Sequence, residues 1–497
     1  MRTLAELLDN GERGHPALIT PQGPRTTYRQ LHEQVESLAS ALKGTGLERG
    51  QTASIVLGND LQFVASFLGA TRLGAVAAPL NASYTTEEYK FFMEDAGSAL
   101  AILPPEDHPA REAARALGLP CLEAEVSSEG KVRLTREGVT LESGSEPEPP
   151  QPEDIALFLH TSGTTSRPKG VPLTHANLTS SISNIVDTYN LTPEDVAMVV
   201  MPLFHVHGLL GVLFSTLASG GSAVLPGRFS ARAFWPVAAE YGASWYSAVP
   251  TIHQILLTRA EGDDAPRGTF RFIRSCSAAL APAVLSDLEA RFDAPVLEAY
   301  GMTEASHQMS SNPLPPARRL PGSVGQGTGV QIAIMDEAGS ALKSGEDRGE
   351  VVIQGPNVMH GYRNNPEANA SAFSDGWFRT GDQGFIDSDG YLNLTGRLKE
   401  LINRGGEKIS PLEVDAVLAQ HPAIAEAICF GVPDPKYGEE VHAAVVLKGD
   451  ATQEEVQAFC QKHLIDFKVP KVIHFVDDLP RTATGKVQRR VVASLFQ

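Results

Sequence analysis

The sequence predicts an α/β protein. It reads as a large N-terminal domain of parallel α/β subdomains plus a small β-barrel, followed by a small α+β C-terminal domain. Three observations carry this. Short apolar strands alternate with amphipathic helical patterns through roughly the first 300 residues. From about residue 323 the texture changes to short strands between Gly-rich turns. About a hundred residues at the end mix helix and strand in a unit of ordinary domain size. A chain of 497 residues is also too long for one core.

Residues 1–9 read as a charged amphipathic helix rather than a signal peptide. Leu31, Val35, Leu38 and Leu42 recur at helical spacing over 28–42. Residues 53–57 form a buried strand, 63–73 a helix and 75–80 the next strand, a rhythm that implies parallel pairing. Residues 126–154 are charged, Pro-rich and poor in large apolar side chains, so they read as an exposed connection. The strand Ile155-Ala156-Leu157-Phe158-Leu159 then leads into His160-Thr161-Ser162-Gly163-Thr164-Thr165-Ser166-Arg167-Pro168-Lys169-Gly170. Hydroxyls crowd around Gly163 and two cations follow. Backbone N–H groups, hydroxyls and Lys169 are donors suited to a polyphosphate. This is not a Walker A loop, because Lys169 is followed by Gly170 rather than Ser or Thr. A helical pattern opens at about 173.

Next come a helix over 179–189 and a strand over 196–201 that ends in Pro202-Leu203-Phe204-His205-Val206-His207-Gly208. At strand spacing the two histidines would face opposite ways. Residues 208–225 read as a buried helix followed by a strand, since Ser215, Ser219, Gly220, Gly221 and Ser222 break any membrane span. Further strands are expected at 243–250, 270–275 and 296–302. In an open parallel sheet, ligand-binding residues lie at such strand ends. Residues 330–335, 349–353 and 391–394 are the short strands of the barrel. The C-terminal unit reads as a helix at 411–420, strands at 423–430 and 441–447, a helix at 452–464 and a strand at 471–475. No internal repeat is present.

A net charge of −18 argues against nucleic acid or an anionic membrane as the main partner. It leaves small anionic substrates open, because a basic pocket can sit in an acidic protein. Cys121, Cys276, Cys429 and Cys460 show no metal or disulfide spacing, which fits a reducing compartment. Leu495-Phe496-Gln497 is not a peroxisomal tripeptide, and a cytoplasmic location is expected. No obligate protein partner is evident.

Three further stretches suit chemistry. In Tyr300-Gly301-Met302-Thr303-Glu304, a ring at a strand end can stack on a base, and a carboxylate can hold Mg²⁺ against phosphate oxygens. On residues alone it is equally a turn. Asp382 in Thr380-Gly381-Asp382 is either a turn-capping carboxylate or an acceptor for ribose hydroxyls. Lys486 in Thr484-Gly485-Lys486 is a solvated charge or a cation on a reaching loop.

Together and in order, these motifs resemble the adenylate-forming superfamily of acyl-CoA synthetases, adenylation domains and luciferases, over nearly the whole chain. The family form of the first loop has Gly where this chain has Ser166. The resemblance implies an adenylating domain over 1–396, a hinge over 397–399 with Lys399 as pivot, and a mobile domain over 400–497. It implies that ATP or AMP is bound by Thr161, Ser162, Gly163, Thr164, Thr165, Lys169, Ser277, Ala278, Ala279, Glu298, Ala299, Tyr300, Gly301, Thr303, Asp382 and Arg397. The first loop would hold the β- and γ-phosphates. Tyr300 would stack on adenine, Asp382 and Arg397 would hold ribose, and Glu304 would bind Mg²⁺. Lys486, Thr303, Glu304 and His205 would be catalytic. The implied reaction consumes ATP, a small carboxylic acid and coenzyme A, by way of an acyl-adenylate. It needs no enzyme nucleophile, in keeping with the lack of any Ser/His/Asp or Cys/His signature.

The acid should be chosen by His205, Ser277, His307 and Lys486. Imidazole or imidazolium N–H together with Ser O–H could hold a second carboxylate, or each His could simply satisfy a core hydrogen bond. The segments 200–208, 271–277, 302–309 and 401–410 are similar to the oxalate–CoA ligases of plants and fungi, which favours a short polar pocket. Medium-chain or aryl acid–CoA ligases keep the same motifs. A carrier-protein adenylating enzyme and a non-catalytic nucleotide-binding protein are further alternatives, the last at odds with Glu304 and Lys486.

Overall fold

The computed structural model describes residues 1–142, 144–161, 168–260, 268–336, 339–342, 347–482 and 484–497. Four sheets organise these residues. In the first, Val76–Pro79, Thr52–Ile55 and Ser98–Leu103 pair in parallel, with Ile155–Thr161 beside Val76–Pro79 and Cys121–Val126 beside Ser98–Leu103. The second has nine strands, with Phe272–Ser275 between Trp245–Ala248 and Val296–Met302, again parallel. At its far end His307–Ser311 turns back antiparallel onto Val296–Met302.

The largest core lies between these sheets. The helix Leu61–Arg72 is buried almost all round, the mark of an element covered on both sides. With His175–Tyr189 and residues 209–218 it fills the space between strand faces that carry Ala53, Leu157, Trp245 and Phe272. A second core covers the other face of the nine-stranded sheet, under Ala231–Glu240, Pro250–Arg259 and Pro282–Phe292.

The small barrel expected after residue 323 takes the form of an antiparallel five-stranded sheet: Gln331–Met335, Gly349–Gln354, Trp377–Ile386, Phe373–Ser374 and Leu392–Arg397. Residues 402–496 carry separate cores around Ile402, Val414, Val445 and Val456, and around Phe430 and Val492.

Several local expectations are corrected. Residues 1–9 hold one 3₁₀ turn, Leu4–Glu6, because Thr3 provides no side-chain cap. Leu4 and Leu7 are buried, so packing rather than helix formation fixes the segment. Residues 126–154 are not all connection: Val132–Arg136 and Val139–Thr140 extend the first sheet. Buried Val132 and Leu134 alternate with exposed Arg133, a period-two signal hidden by the surrounding charge.

The helical pattern expected at 173 begins later. Lys169–Thr174 is an edge strand antiparallel to Ile155–Thr161, with Lys169 opposite Thr161. Val171 and Leu173 point into the core at period two, and Pro172 is tolerated because the strand is at the edge. The hydroxyl-rich loop therefore joins two strands of a hairpin, not a strand and a helix. The buried helix expected from 208 is in part a π-helix, Leu209–Phe214. The ten-residue strand Trp377–Ile386 was not anticipated. No helix among the described residues is long and apolar enough to cross a membrane.

Thr174 ends the hairpin and begins the helix His175–Tyr189. Its hydroxyl accepts from Asn177 N at 3.1 Å, while Asn177 Oδ1 accepts from Thr174 N at 3.0 Å. Thr174→Ala removes one side of this reciprocal cap. Chemical denaturation should then show a loss of about 1 kcal/mol; an unchanged midpoint would mean the cap contributes nothing.

Candidate active site

The site forms where strands from two sheets meet. Tyr300 lies near the end of Val296–Met302 and is buried, and its hydroxyl donates to Asp382 Oδ2. Asp382 faces Arg397 in register across Trp377–Ile386 and Leu392–Arg397, with Arg397 Nε 3.1 Å from Oδ1. Gly381, at φ 73°, supplies the left-handed step before the acid. Its N–H donates to Glu350 Oε1 at 3.0 Å, and Asp382 N donates to Thr380 Oγ1 at 3.1 Å. Asp382 raises the Arg397 pKa, and burial followed by Asp382 raises that of Tyr300 far above normal. Tyr300, Asp382 and Arg397, three separate motifs in the sequence, are thus one bonded unit.

Glu304 follows in the turn Thr303–Ala305 and is buried beside Thr303. Tyr362 donates to its Oε1 at 2.9 Å. Burial raises the Glu304 carboxyl, while the Tyr362 bond, Arg397 and Lys169 oppose the rise. Lys169 Nζ sits 4.5 Å from the centroid of the Tyr362 ring. Tyr362, which no motif flagged, therefore links the loop lysine to the acid. Thr161 closes the other side of the hairpin stem. Ser162, Gly163, Thr164 and Thr165 lie outside the described residues.

Gly301 is required by packing, since a Cβ there would lie 1.9 Å from the His307 carbonyl oxygen. Ala299 pairs with Ser311 on the adjoining strand. Glu298 is buried and accepts from Gly322 N at 2.8 Å. Ala278 and Ala279 are exposed in the loop after Phe272–Ser275.

The histidines do not sit on a strand. His205 caps the short helix Val206–Gly208, and its Nδ1 accepts from His207 N at 3.2 Å. His207 is buried, with Nδ1 3.0 Å from Ser277 Oγ and Nε2 2.7 Å from Ser247 Oγ. It stacks on His307 with centroids 5.2 Å apart. Gly211, in the π-helix, makes room for that second ring, since a Cβ would lie 2.4 Å from His307 Nε2. π-Helical turns recur at functional sites. Ser277, Ser306 and His307 adopt φ of 74°, 49° and 94°, a region that side chains ordinarily avoid.

Arg274, on Phe272–Ser275, has no exposed surface. Nε donates to Tyr189 Oη at 2.8 Å and Nη1 to Ser247 Oγ at 2.9 Å. Nη2 donates to His307 Nε2 and Gln308 Oε1, each at 2.9 Å. His307 Nε2 is therefore an acceptor, and its ring proton lies on Nδ1. Burial, then the Arg274 charge, holds His207 and His307 well below the usual histidine range. His205 is pushed down to about 4 by burial and then by Lys486. Of the imidazole and imidazolium forms expected, the neutral one prevails. Tyr189, Ser247, Arg274 and Gln308 escaped the sequence reading. For Arg274 the available signal was a charged residue directly after the apolar pair Phe272-Ile273 in a segment read as a strand.

Lys486 enters from the C-terminal sheet unit. Thr251 Oγ1 donates to Gly485 O at 3.2 Å and accepts from Arg481 Nη1 at 3.0 Å, so one hydroxyl docks the loop. The ammonium keeps a face open to water but is otherwise walled by protein. Displaced water and then Arg397 lower its pKa, against Asp382 and Glu400. Lys399 lies in the turn Leu398–Glu400, between Leu392–Arg397 and Ile402–Arg404. The arrangement brings together a bonded Tyr–Asp–Arg unit, a buried carboxylate near a lysine, a docked second lysine and a polar recess of histidine and serine.

Comparison with known proteins agrees with this geometry. Residues 8–363 match the family model described as AMP-binding enzyme, and 413–486 match the AMP-binding enzyme C-terminal domain. The chain is 50% identical to an oxalate–CoA ligase of Arabidopsis thaliana, over 99% of this chain and 98% of that one. It is 45% identical to an oxalate–CoA ligase of Saccharomyces cerevisiae, over 97% and 94%. The crystal structure of ATP-bound MatB from Rhodopseudomonas palustris superposes with a TM-score of 0.89 at 31% identity, covering 100% of this chain and 99% of that one.

Glu298 offers a test by pH. Burial pushes its carboxyl up from 4.5 to about 7. The fold therefore favours the protonated form, and that stability is complete below 4.5 and lost as pH rises through about 7. Glu298→Gln keeps an acceptor for Gly322 and cannot ionise. Its thermal midpoint relative to the parent should rise progressively between pH 5 and pH 8, a window set by that shift. A difference independent of pH would show that Glu298 does not titrate there.

Proposed function

The chain belongs to the AMP-binding enzyme family, and we propose that it is an AMP-forming acid–CoA ligase that turns oxalate into oxalyl-CoA. One observation carries the choice of acid: Ser277 is bonded to buried His207, which stacks on buried His307, so the side chains grouped there are polar rather than apolar. A medium-chain or aryl acid needs an apolar tunnel. A two-carbon diacid needs only short reach and donors. The oxalate–CoA ligase relatives point the same way.

In this reading the adenine of ATP lies against Tyr300. Asp382 keeps acceptor lone pairs for the ribose hydroxyls, because its two bonds use only part of its capacity. Lys169 and the loop before it take the β- and γ-phosphates. Glu304 suits Mg²⁺: it is a buried carboxylate, and among the described residues no group of three His, Cys, Asp or Glu forms a closed cage. Mg²⁺ would then be held by Glu304 with phosphate and water oxygens, and when bound it offsets phosphate charge.

One carboxylate oxygen of oxalate attacks the α-phosphorus, and pyrophosphate leaves with the electron pair of the broken P–O bond. Lys486, docked through Thr251, stabilises the charge that develops between carboxylate and phosphate. Residues 400–497 then rotate about Lys399 relative to 1–396. The thiol of coenzyme A, losing its proton, attacks the acyl carbon and releases AMP. Ser277 and His205 bind the second carboxylate, and His307 presents its Nδ1 proton to it.

Pyrophosphate release with an acid panel tests this. Oxalate should support turnover and octanoate or a cinnamate should not; the reverse would overturn the assignment. Lys486→Ala should lower adenylation by a factor on the order of 10² to 10³, with ATP binding retained.

A further inference from the structure

Several partly buried arginines pair with carboxylates. Arg271 pairs with Asp195, Arg379 with Glu350, Arg404 with Glu440, and Arg489 with Asp415 and Glu400. Arg274 does not. It is fully buried, and its partners are a phenol, a hydroxyl, an imidazole nitrogen and an amide oxygen. Among the described residues no Asp or Glu forms an ion pair with it. Leaving a buried ion without a counter-charge costs several kcal/mol, so a fold that keeps one needs a reason.

The position supplies the reason. Arg274 lies one bond behind the recess twice over, through His307 and through Ser247, which also bonds His207. It fixes the His307 proton on the nitrogen it does not touch, and it disfavours protonation of either ring. The recess therefore contains neutral donors in front and one uncompensated positive charge behind, in a region poor in water. We propose that Arg274 is the residue that selects a second anionic group on the acid substrate, acting through His307 and Ser247 as a positioning residue rather than touching the acid. The inference rests on the acid–CoA ligase reading above. It adds that preference for a dianion over a same-sized acid with a neutral far end comes from this buried charge.

The titratable groups that face Arg274 are Tyr189 on the helix His175–Tyr189, Cys276 on the following loop, His207 in Val206–Gly208, His253 on Pro250–Arg259, whose ring meets the Arg274 backbone, and His307 at the start of His307–Ser311. None is a carboxylate. Removing the guanidinium therefore frees the imidazoles to take a proton, and acid should return part of the missing charge.

The test uses the full-length enzyme, with oxalate and glycolate compared by kcat/KM. In the parent, oxalate should be strongly preferred. Arg274→Gln should lower kcat/KM for oxalate about 100-fold at pH 8 and leave glycolate and the KM for ATP nearly unchanged. Lowering the pH to about 6 should restore part of the oxalate rate in the variant and not in the parent. Arg274→Lys, which keeps the charge, should keep the preference. An equal fall for both acids, or an unchanged oxalate preference in Arg274→Gln, would overturn the inference. If Arg274→Gln does not fold, the parent still decides: with AMP present, oxalate should raise its melting temperature and glycolate should not. Equal protection would overturn the inference. Absence of oxalate turnover in the parent would overturn the functional reading itself.

Discussion

The contact between Asp382 and Arg397 holds the site together. Both residues sit on the antiparallel five-stranded sheet, yet Asp382 also receives the Tyr300 hydroxyl from the nine-stranded sheet. Arg397 in turn is the last residue before the turn that carries Lys399. The position of Tyr300, the joining of the two sheets and the start of the turn that carries Lys399 thus share one ion pair. Because Lys486 feels Arg397 and Asp382 with opposite sign, a shift in this pair would also alter the charge that the C-terminal loop meets.

A second theme is backbone conformation held against its preference. Ser277, Ser306 and His307 each sit at positive φ, a cost on the order of 1 to 3 kcal/mol per residue. They cluster around the same recess, which Gly211 and Gly301 make possible by their lack of a side chain. Tight enclosure of two neutral imidazoles is what these distortions achieve. A recess built this way has little freedom to widen, which suits a small acid better than a long one.

Much of the architecture was legible in the sequence because the parallel strands are short apolar runs between amphipathic helices. Runs such as 53–57 and 155–159 announce themselves. The hairpin strand Lys169–Thr174 did not, because Thr174, His175 and Asn177 look like the start of a helix, which they also are. The motif residues Tyr300, Glu304, Asp382 and Lys486 could be picked out one by one, but not as neighbours. What joins them is cross-strand register, the Tyr300–Asp382 bond between residues 82 positions apart, and the dock at Thr251, 234 positions from Gly485. Arg274 and Tyr362 stayed hidden for another reason. Each is an ordinary residue in an ordinary segment, and only three-dimensional company makes it unusual.

The hairpin that bears the hydroxyl-rich loop has a consequence for how such proteins vary. Lys169 is opposite Thr161 across the stem, and alternate stem residues point to opposite faces of the sheet. Adding or deleting one residue within either arm would carry Lys169 to the wrong face and turn Val171 and Leu173 out of the core. Gly170 is equally constrained, since any side chain would meet the Phe158 ring at 2.4 Å. The register of the arms therefore tolerates substitution but not a change of length. The stem behaves as a fixed-length ruler that sets where the lysine must stand.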